Sequence, residues 1–534
     1  MDDIARAKQL FLTALEEQNA GRLANAEQFY RQALDLAPGR PSLLNNLANV
    51  LLKQERFSQA LDICTDLLKV AHDESKSWIT RASVFAALGK TESAASDLLQ
   101  ALHRDPDNPA LSLLLGKTLL DAGQAGQAIS FLRRANAALP DDANAACQLA
   151  NALLRAFQPH EAIRICEQAL AFDPDNADAL LNRANAFLLL ARYDEALRDY
   201  EQVERLAPHS PLAWWNDSLC RLLLGDFKRG WELYSYGWAT GQRGTQRPQF
   251  AAPPWDGKPV NGDLLVWGEQ GIGDQILFGT MLHELEPYAR KVVVAIAPRL
   301  LPLFRRSLPR LHFISGDAID SRIPVAAQVA IGDLGGVLRD STARFPIQRD
   351  GYLRADETRT STLRARALKT GEHFVVGISW RSRNDHFGAL KSLDLEQLAP
   401  LLALPGVSAV DLQYGDTSAE RAAFRNKHGL SINHFADIDN YNDLDGLAAL
   451  INACDIVVSV SNTTVHLAGA LGKPTLVMLP YALGRIWYWH EKGERSPWYP
   501  SCRLLRQTAA GDWTPVIAAA TAAVSAAAAG IRPE

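Results

Sequence analysis

The chain has 534 residues, room at roughly 150 residues per domain for three or four domains. Its 55 basic and 60 acidic side chains leave a net charge of −5, which argues against a general nucleic-acid binder, because holding many phosphates takes a basic surface. With 22% charged and 47% hydrophobic residues the composition is that of a globular protein, not a disordered or fibrous one. Six cysteines (Cys64, Cys147, Cys166, Cys220, Cys454, Cys502) show no CxxC or Cys/His ligand spacing. They read as buried small hydrophobes in a reducing compartment, with no zinc site. The opening MDDIARAKQL is acidic and runs straight into a helical pattern, so no signal peptide and a cytoplasmic location are expected. The C-terminal VIAAATAAVSAAAAGI is mostly alanine with Thr and Ser interleaved, which predicts a packed helix and not a membrane span.

The first half repeats with a period of 34. Ala26, Ala60, Ala94, Ala128, Ala162 and Ala196 stand 34 residues apart. Ala14, Ala48, Ala82, Gly116, Ala150, Ala184 and Ser218 form a second ladder, small at every rung. Pro38, Pro106, Pro140, Pro174 and Pro208 form a third, with His72 at the missing rung. Two helices cross closely where neither carries a bulky side chain, and proline ends the second of them. This pattern resembles the tetratricopeptide repeat (TPR). Six full repeats and a degenerate seventh fill residues 1–241; in the seventh, Gly230 replaces the ladder alanine and Trp214, Trp215, Trp231, Tyr234 and Trp238 crowd in. That unit reads as a cap docked on the domain C-terminal to it. Arrays of this kind bind extended peptides or proteins along a concave superhelix.

Pro248, Pro253 and Pro254 punctuate a linker over 242–261. Beyond it the pattern alternates. LLVWGEQ, KVVVAIA and LHFIS read as strands separated by helical runs, and from residue 373 HFVVGISW, SAVDLQ, DIVVSV and PTLVML do the same. The alternation predicts parallel sheets in two lobes, 262–365 and 366–534, the second ending in the Ala-rich helix. In such sheets ligands bind beyond the carboxyl ends of the strands.

Three loops at those ends hold the candidate residues. Gly268-Glu269-Gln270-Gly271-Ile272-Gly273-Asp274 joins a strand to a helix. Its glycines let backbone approach a ligand, and N–H groups at the helix start favour an anion. It is neither a dinucleotide fingerprint nor a Walker A loop. Asp274 reads either as a capping carboxylate or as a general base. In the second loop, Ser379-Trp380-Arg381-Ser382-Arg383 leads to Lys391-Ser392, cations that either neutralise a diphosphate or only solvate a loop. The third, Ser459 to His466 with Ser461, Asn462, Thr463 and Thr464, is either an anion or ribose site at a helix N-terminus or a set of helix caps.

The stretch from Leu444 to Leu479, LDGLAALINACDIVVSVSNTTVHLAGALGKPTLVML, resembles the nucleotide-sugar lobe of the heptosyltransferase-like glycosyltransferases of the GT-B fold. There a strand ends in an Asp-Thr-Gly-type loop, followed by a His-Leu-Ala-(Ala/Gly)-Ala-Leu-Gly-x-Pro helix that cradles the donor. Gly271-Ile272-Gly273-Asp274 resembles the first-lobe glycine loop, whose aspartate is the proposed base, and Lys391 resembles the phosphate-binding lysine. Repeats fused to such lobes, with Trp487-Tyr488-Trp489, Trp498-Tyr499-Pro500 and Arg506-Gln507 near the end, are similar to bacterial TPR-containing glycosyltransferases, flagellin glycosyltransferases among them. One departure stands out: Ser461 occupies the place of the family aspartate and Asn462 that of its threonine.

The resemblance implies a two-lobed glycosyltransferase that moves a sugar from a nucleotide sugar to Ser or Thr of an acceptor protein recruited by the repeats. Asp274 would be the base. Gly271, Gly273, Trp380, Arg381, Lys391 and the segment Ser461 to Thr464 would hold the donor without metal, Gln413 would bond base or ribose, and His466 would orient the loop. Transfer to lipopolysaccharide or another carbohydrate is an alternative, although such an acceptor needs no protein-recruiting solenoid. A scaffold that has lost catalysis is another, kept open by Ser461. Asp437-Ile438-Asp439 and Asp443-Leu444-Asp445 spell DxD but precede a helix, where Asp is a common cap; no metal is expected.

Overall fold

The structure is a computed structural model that describes residues 3–244, 247–320, 322–345, 350–368, 371–383, 388–482 and 484–531. Residues 245–246 of the expected linker and 384–387 of the second candidate loop lie outside the described residues. The chain divides into two compact units. One reaches to Phe187 and includes Glu201–Ala207; the other consists of Leu188–Tyr200 and everything from Pro208 onward.

The first unit is a TPR solenoid of antiparallel helix pairs, such as Pro41–Lys53 with Phe57–Val70 and Pro109–Asp121 with Ala125–Ala138. The ladder residues Ala14, Ala26, Ala48, Ala60, Ala128, Ala150 and Ala162 are fully buried, as expected where helices meet at their closest point. Gly116 occupies the tightest rung: a Cβ there would stand 2.5 Å from Cγ of Leu132. Gly116→Ala is therefore expected to overpack the pair and lower stability by about 1–3 kcal/mol. Gly126→Ala, in the partner helix with nothing within 4 Å of the added carbon, should instead stabilise by up to ~1 kcal/mol through helix propensity. Thermal unfolding of the two variants, with Tm shifts of opposite sign, checks both.

The second unit contains two parallel sheets. In the first, β1 (Asp263–Trp267), β2 (Lys291–Ile296), β3 (His312–Ser315) and β4 (Ala327–Ala330) lie in the order β3-β2-β1-β4. In the second, β5 (Phe374–Ser379), β6 (Val407–Asp411), β7 (Ile456–Val460), β8 (Thr475–Leu479) and β9 (Cys502–Arg506) lie in the order β6-β5-β7-β8-β9. Every pairing is parallel. Strands such as β7 and β8 are buried on both faces, which is why they read as unbroken apolar runs. The strand order reverses between β1 and β4 and between β5 and β7, and such switch points open a crevice at the carboxyl ends.

The helix after β1 is shorter than its sequence suggests. DQILFGTMLHEL predicts a helix to Leu285, yet the α-helix is Ile272–Gly279, followed by a tighter 3-10 stretch at Leu282–Tyr288. The Tyr352 hydroxyl donates to the Ile276 carbonyl at 2.6 Å, while the Thr280 N–H turns to Leu277. A tertiary contact thus takes the acceptor that the next helical turn needs.

The degenerate seventh repeat, Pro211–Leu224 and Phe227–Tyr234, folds with the sheets in this second unit. Its Trp231 indole N–H donates to the Arg339 carbonyl at 2.9 Å, and its ring meets Trp487 edge-on at 5.3 Å. Gly230 is small because a Cβ there would lie 2.7 Å from Cγ of Leu222.

Candidate active site

The carboxyl ends of β1, β5 and β7 and the segment after β8 enclose a cleft of about 350 Å³, within the range typical of small-molecule sites. It gathers Gly271, Gly273, Asp274, Lys391, Ser461, Asn462, Thr463 and His466 from separate loops. Two helices, Ile272–Gly279 from the first sheet and Thr463–Ala470 from the second, begin at this cleft and pack against one another. The positive ends of both helix dipoles thus face the cleft. Gly273 permits the approach: a Cβ there would sit 3.0 Å from Cδ2 of His466.

Asp274 caps its own helix, its Oδ2 accepting the Gly271 N–H at 3.1 Å. Surrounding protein desolvates this carboxyl and raises it to about 6, against the opposing pull of the Gly271 N–H, its own N–H and Lys391. Part of its surface still meets the cleft. The capping reading is realised, and the carboxyl stays within reach of the cleft. Lys391 is 3% exposed and lines the cleft with no hydrogen bond or ion pair among the described residues. Burial lowers its ammonium to about 8, partly countered by Asp274. His466 lies 3.2 Å from the hydroxyls of both Tyr499 and Tyr488 and stacks on Trp489. Burial, aided by Lys391, holds it down to about 3; the neutral ring accepts from one tyrosine and donates to the other, bracing the loop.

The other residues of the third loop serve mostly as structure. Asn462 is the N-cap of Thr463–Ala470: its Oδ1 accepts the Thr464 N–H at 3.0 Å, while its Nδ2 donates to Ser379 Oγ at 2.7 Å and to the Arg381 carbonyl at 3.0 Å. This amide ties the loop after β7 to the loop after β5. Ser461 is buried and accepts the Trp489 indole N–H at 2.8 Å.

Four predicted ligand residues are not brought to the cleft wall. Trp380 is fully buried in the core of the second sheet, where its ring packs with apolar side chains. Gln413 is an internal brace: its carbonyl accepts from Ser379 Oγ and the N–H groups of Trp380 and Arg381, and its amide donates to the Arg381 and Tyr414 carbonyls. Thr464 is buried against the Leu412 carbonyl. The Arg381 guanidinium pairs with Glu420 at 3.1 Å. Of the DxD-like carboxylates, Asp437 pairs with Arg366, Asp439 accepts the Tyr441 N–H, Asp443 caps its helix through the Gly446 N–H, and Asp445 pairs with Arg306.

Sequence reasoning did not assign Trp215, Leu219 and Tyr234 of the seventh repeat, nor Gln270, Tyr414, Trp487 and Tyr488, all of which line the cleft. Gln270 carried a signal only visible in three dimensions. It has φ 57°, a left-handed conformation uncommon outside glycine, and its Nε2 donates to the Tyr234 hydroxyl at 2.9 Å.

The fold and site define a TPR solenoid followed by a two-sheet α/β unit with a crevice at the carboxyl ends of its strands. Among known proteins, residues 19–83, 85–151 and 153–223 match the tetratricopeptide repeat family. Protein FlbA of Caulobacter vibrioides (strain ATCC 19089 / CIP 103742 / CB 15) is 33% identical over 315 residues, 55% of this chain and 52% of that protein. The chain therefore spans about half the length of this curated relative. Among solved structures, YrrB, described as a TPR protein with an unusual peptide-binding site, is 21% identical with a TM-score of 0.33, covering 36% of this chain and 98% of that one. A tetratricopeptide repeat protein from Parabacteroides merdae is 18% identical with a TM-score of 0.38, covering 44% and 93%. No helix among the described residues is long and apolar enough to cross a membrane.

Proposed function

We propose that the second unit is a GT-B glycosyltransferase that moves a sugar from a nucleotide-sugar donor to a Ser or Thr hydroxyl of a protein, and that the TPR array recruits this acceptor. The observation that carries the reading is the pairing, in one crevice, of a carboxyl lifted to about 6 with a buried ammonium that has no anionic partner in contact among the described residues. A buried cation without a partner is costly unless a ligand supplies the charge. Asp274 takes the proton of the attacking hydroxyl. Lys391 and the two helix N-termini stabilise the departing phosphate, so the reaction needs no metal. The six cysteines, all buried and unpaired, suit a cytoplasmic setting.

Thermal unfolding with UDP, GDP, CMP and ADP tests the donor site. One nucleotide should stabilise the protein, by about 2.7 kcal/mol at 100 times its Kd, and Lys391→Met should remove the effect. No shift with any of the four, in a folded sample, overturns the reading.

A further inference from the structure

A second pocket, of about 590 Å³, shares no lining residue with the cleft but is built from the same two elements. Trp215 and Leu219 of helix Pro211–Leu224 line the cleft, and Leu223 and Leu224 at the end of that helix line the pocket. Trp487 and Tyr488 line the cleft, and the chain from His490 to Gly493 lines the pocket. An occupant of the pocket would therefore touch both elements that wall the cleft. Phe227, Pro497 and Pro500 extend its apolar surface. Among its lining residues the carboxylate belongs to Glu491, which is engaged by the Tyr193 hydroxyl at 3.0 Å and by Arg485. Lys492 and Arg495, both exposed, then set a cationic rim.

An independent observation comes from His490, which lines this pocket and is 8% exposed. Its backbone stands at φ 49° and ψ 158°, a region that residues other than glycine adopt only where surrounding contacts enforce it. Arg506 Nη2 donates to its carbonyl at 3.0 Å, and its ring meets Phe227 edge-on at 5.3 Å. Burial lowers the imidazole to about 4, against hydrogen bonds to the Leu222 and Leu223 backbone that favour the protonated ring. A neutral imidazole donates through one nitrogen and accepts through the other. With the donor turned to that backbone, Nε2 remains as a buried acceptor without a partner among the described residues. Such a group calls for a donor.

We propose that this pocket binds a small amphipathic acid, with its apolar body against Leu223, Phe227 and Pro497, an amide or hydroxyl hydrogen on His490 Nε2, and its carboxylate at Lys492 and Arg495. Each part of the ligand answers one part of the pocket. The apolar body takes the walls out of water, the donor satisfies the orphaned nitrogen, and the carboxylate meets cations where solvent still reaches it, so no charge is buried unpaired. The site is separate from sugar transfer and stands whether or not the second unit is a transferase.

Calorimetric titration of the full chain with N-octanoylglycine and with N-octanoylsarcosine tests the proposal. The two share an alkyl chain and a carboxylate, and only the first has an amide N–H. The glycine conjugate should bind at least about fivefold more tightly, the scale of one buried acceptor left unpaired. Lys492→Glu, at an exposed position, should weaken both conjugates by about two- to fivefold. Equal affinities for the two conjugates, binding that Lys492→Glu leaves unchanged, or no binding of either would each overturn the proposal.

Discussion

Asp274→Asn should slow sugar transfer by about 10²- to 10⁴-fold, the usual contribution of a general base, while nucleotide binding remains. The amide keeps an oxygen for the Gly271 N–H that now bonds Oδ2, so the helix cap and the loop survive and the missing function is the proton acceptor. The pH profile sharpens the test. Burial raises the Asp274 carboxyl to about 6; below that it is protonated and cannot act as a base, so kcat/KM should climb as pH rises through about 6. Burial lowers Lys391 to about 8; above that it loses the charge that meets phosphate, so kcat/KM should fall as pH rises further. The two limbs belong to the coupled pair. Initial rates from pH 5 to 9 (a range of about two units around each limb) should trace a bell for the unsubstituted chain. The residual activity of Asp274→Asn should lack the acidic limb. An unchanged rate, or an acidic limb that persists, would remove Asp274 from the base role.

The repeats were legible because close helix crossings demand small residues at a fixed period, a demand written directly into the alanine ladders. The central strands were legible because burial on both faces demands unbroken apolar runs. Two edge strands carry no clear strand pattern, whereas the edges β3 (LHFIS) and β6 (SAVDLQ) do. β4, at one end of the first sheet, is AQVA, and β9, at one end of the second, is CRLLR with Arg503 and Arg506 partly exposed. β4 has only four residues, two of them alanine and one glutamine, and β9 carries two arginines, so neither shows an apolar run or a strict alternation. Helices Glu357–Ala367 and Ser418–His428 bury only two residues and one residue respectively, too few for a clear helical period.

The same division runs through the site. Loops that begin helices carry glycine, hydroxyl and amide signals, and Gly271, Asp274, Asn462 and Thr463 meet in space as those signals suggest. Trp380 and Gln413 also stand just beyond strand ends, after β5 and β6, but burial and tertiary bonds turn them inward. Trp215 and Tyr234 come from a repeat that reads as a cap, and tertiary contacts such as those of Trp231 with Trp487 and Arg339 bring that repeat to the cleft. Local patterns report what a backbone segment can do alone; the cleft wall is decided by contacts between segments as far apart in sequence as Trp231 and Trp487.

A buried ion pair beneath the first candidate loop should prove decisive for stability. The Arg243 side chain is fully buried; its Nε donates to Glu269 Oε2 at 3.1 Å, and its terminal nitrogens bond Glu269 Oε1 and Asp333 Oδ1. Tyr234 and Trp238 face the guanidinium at 4.5 and 4.7 Å. Desolvation pushes the Glu269 carboxyl up, and Arg243 opposes that push. Arg243→Met leaves Glu269 buried without its counter-charge, which should cost about 3–5 kcal/mol. Glu269 immediately precedes Gln270 and Gly271, so the loss also frees the loop that presents Asp274. Adding Glu269→Gln to Arg243→Met removes the stranded charge and should restore a large part of the stability. Tryptophan fluorescence reports on the right region, because only Trp78 of the twelve tryptophans lies before residue 212. Urea unfolding followed by that signal should place Arg243→Met well below the unsubstituted chain and the double variant between them. Equal midpoints for the single variant and the unsubstituted chain would show that the buried pair contributes nothing to holding the loop.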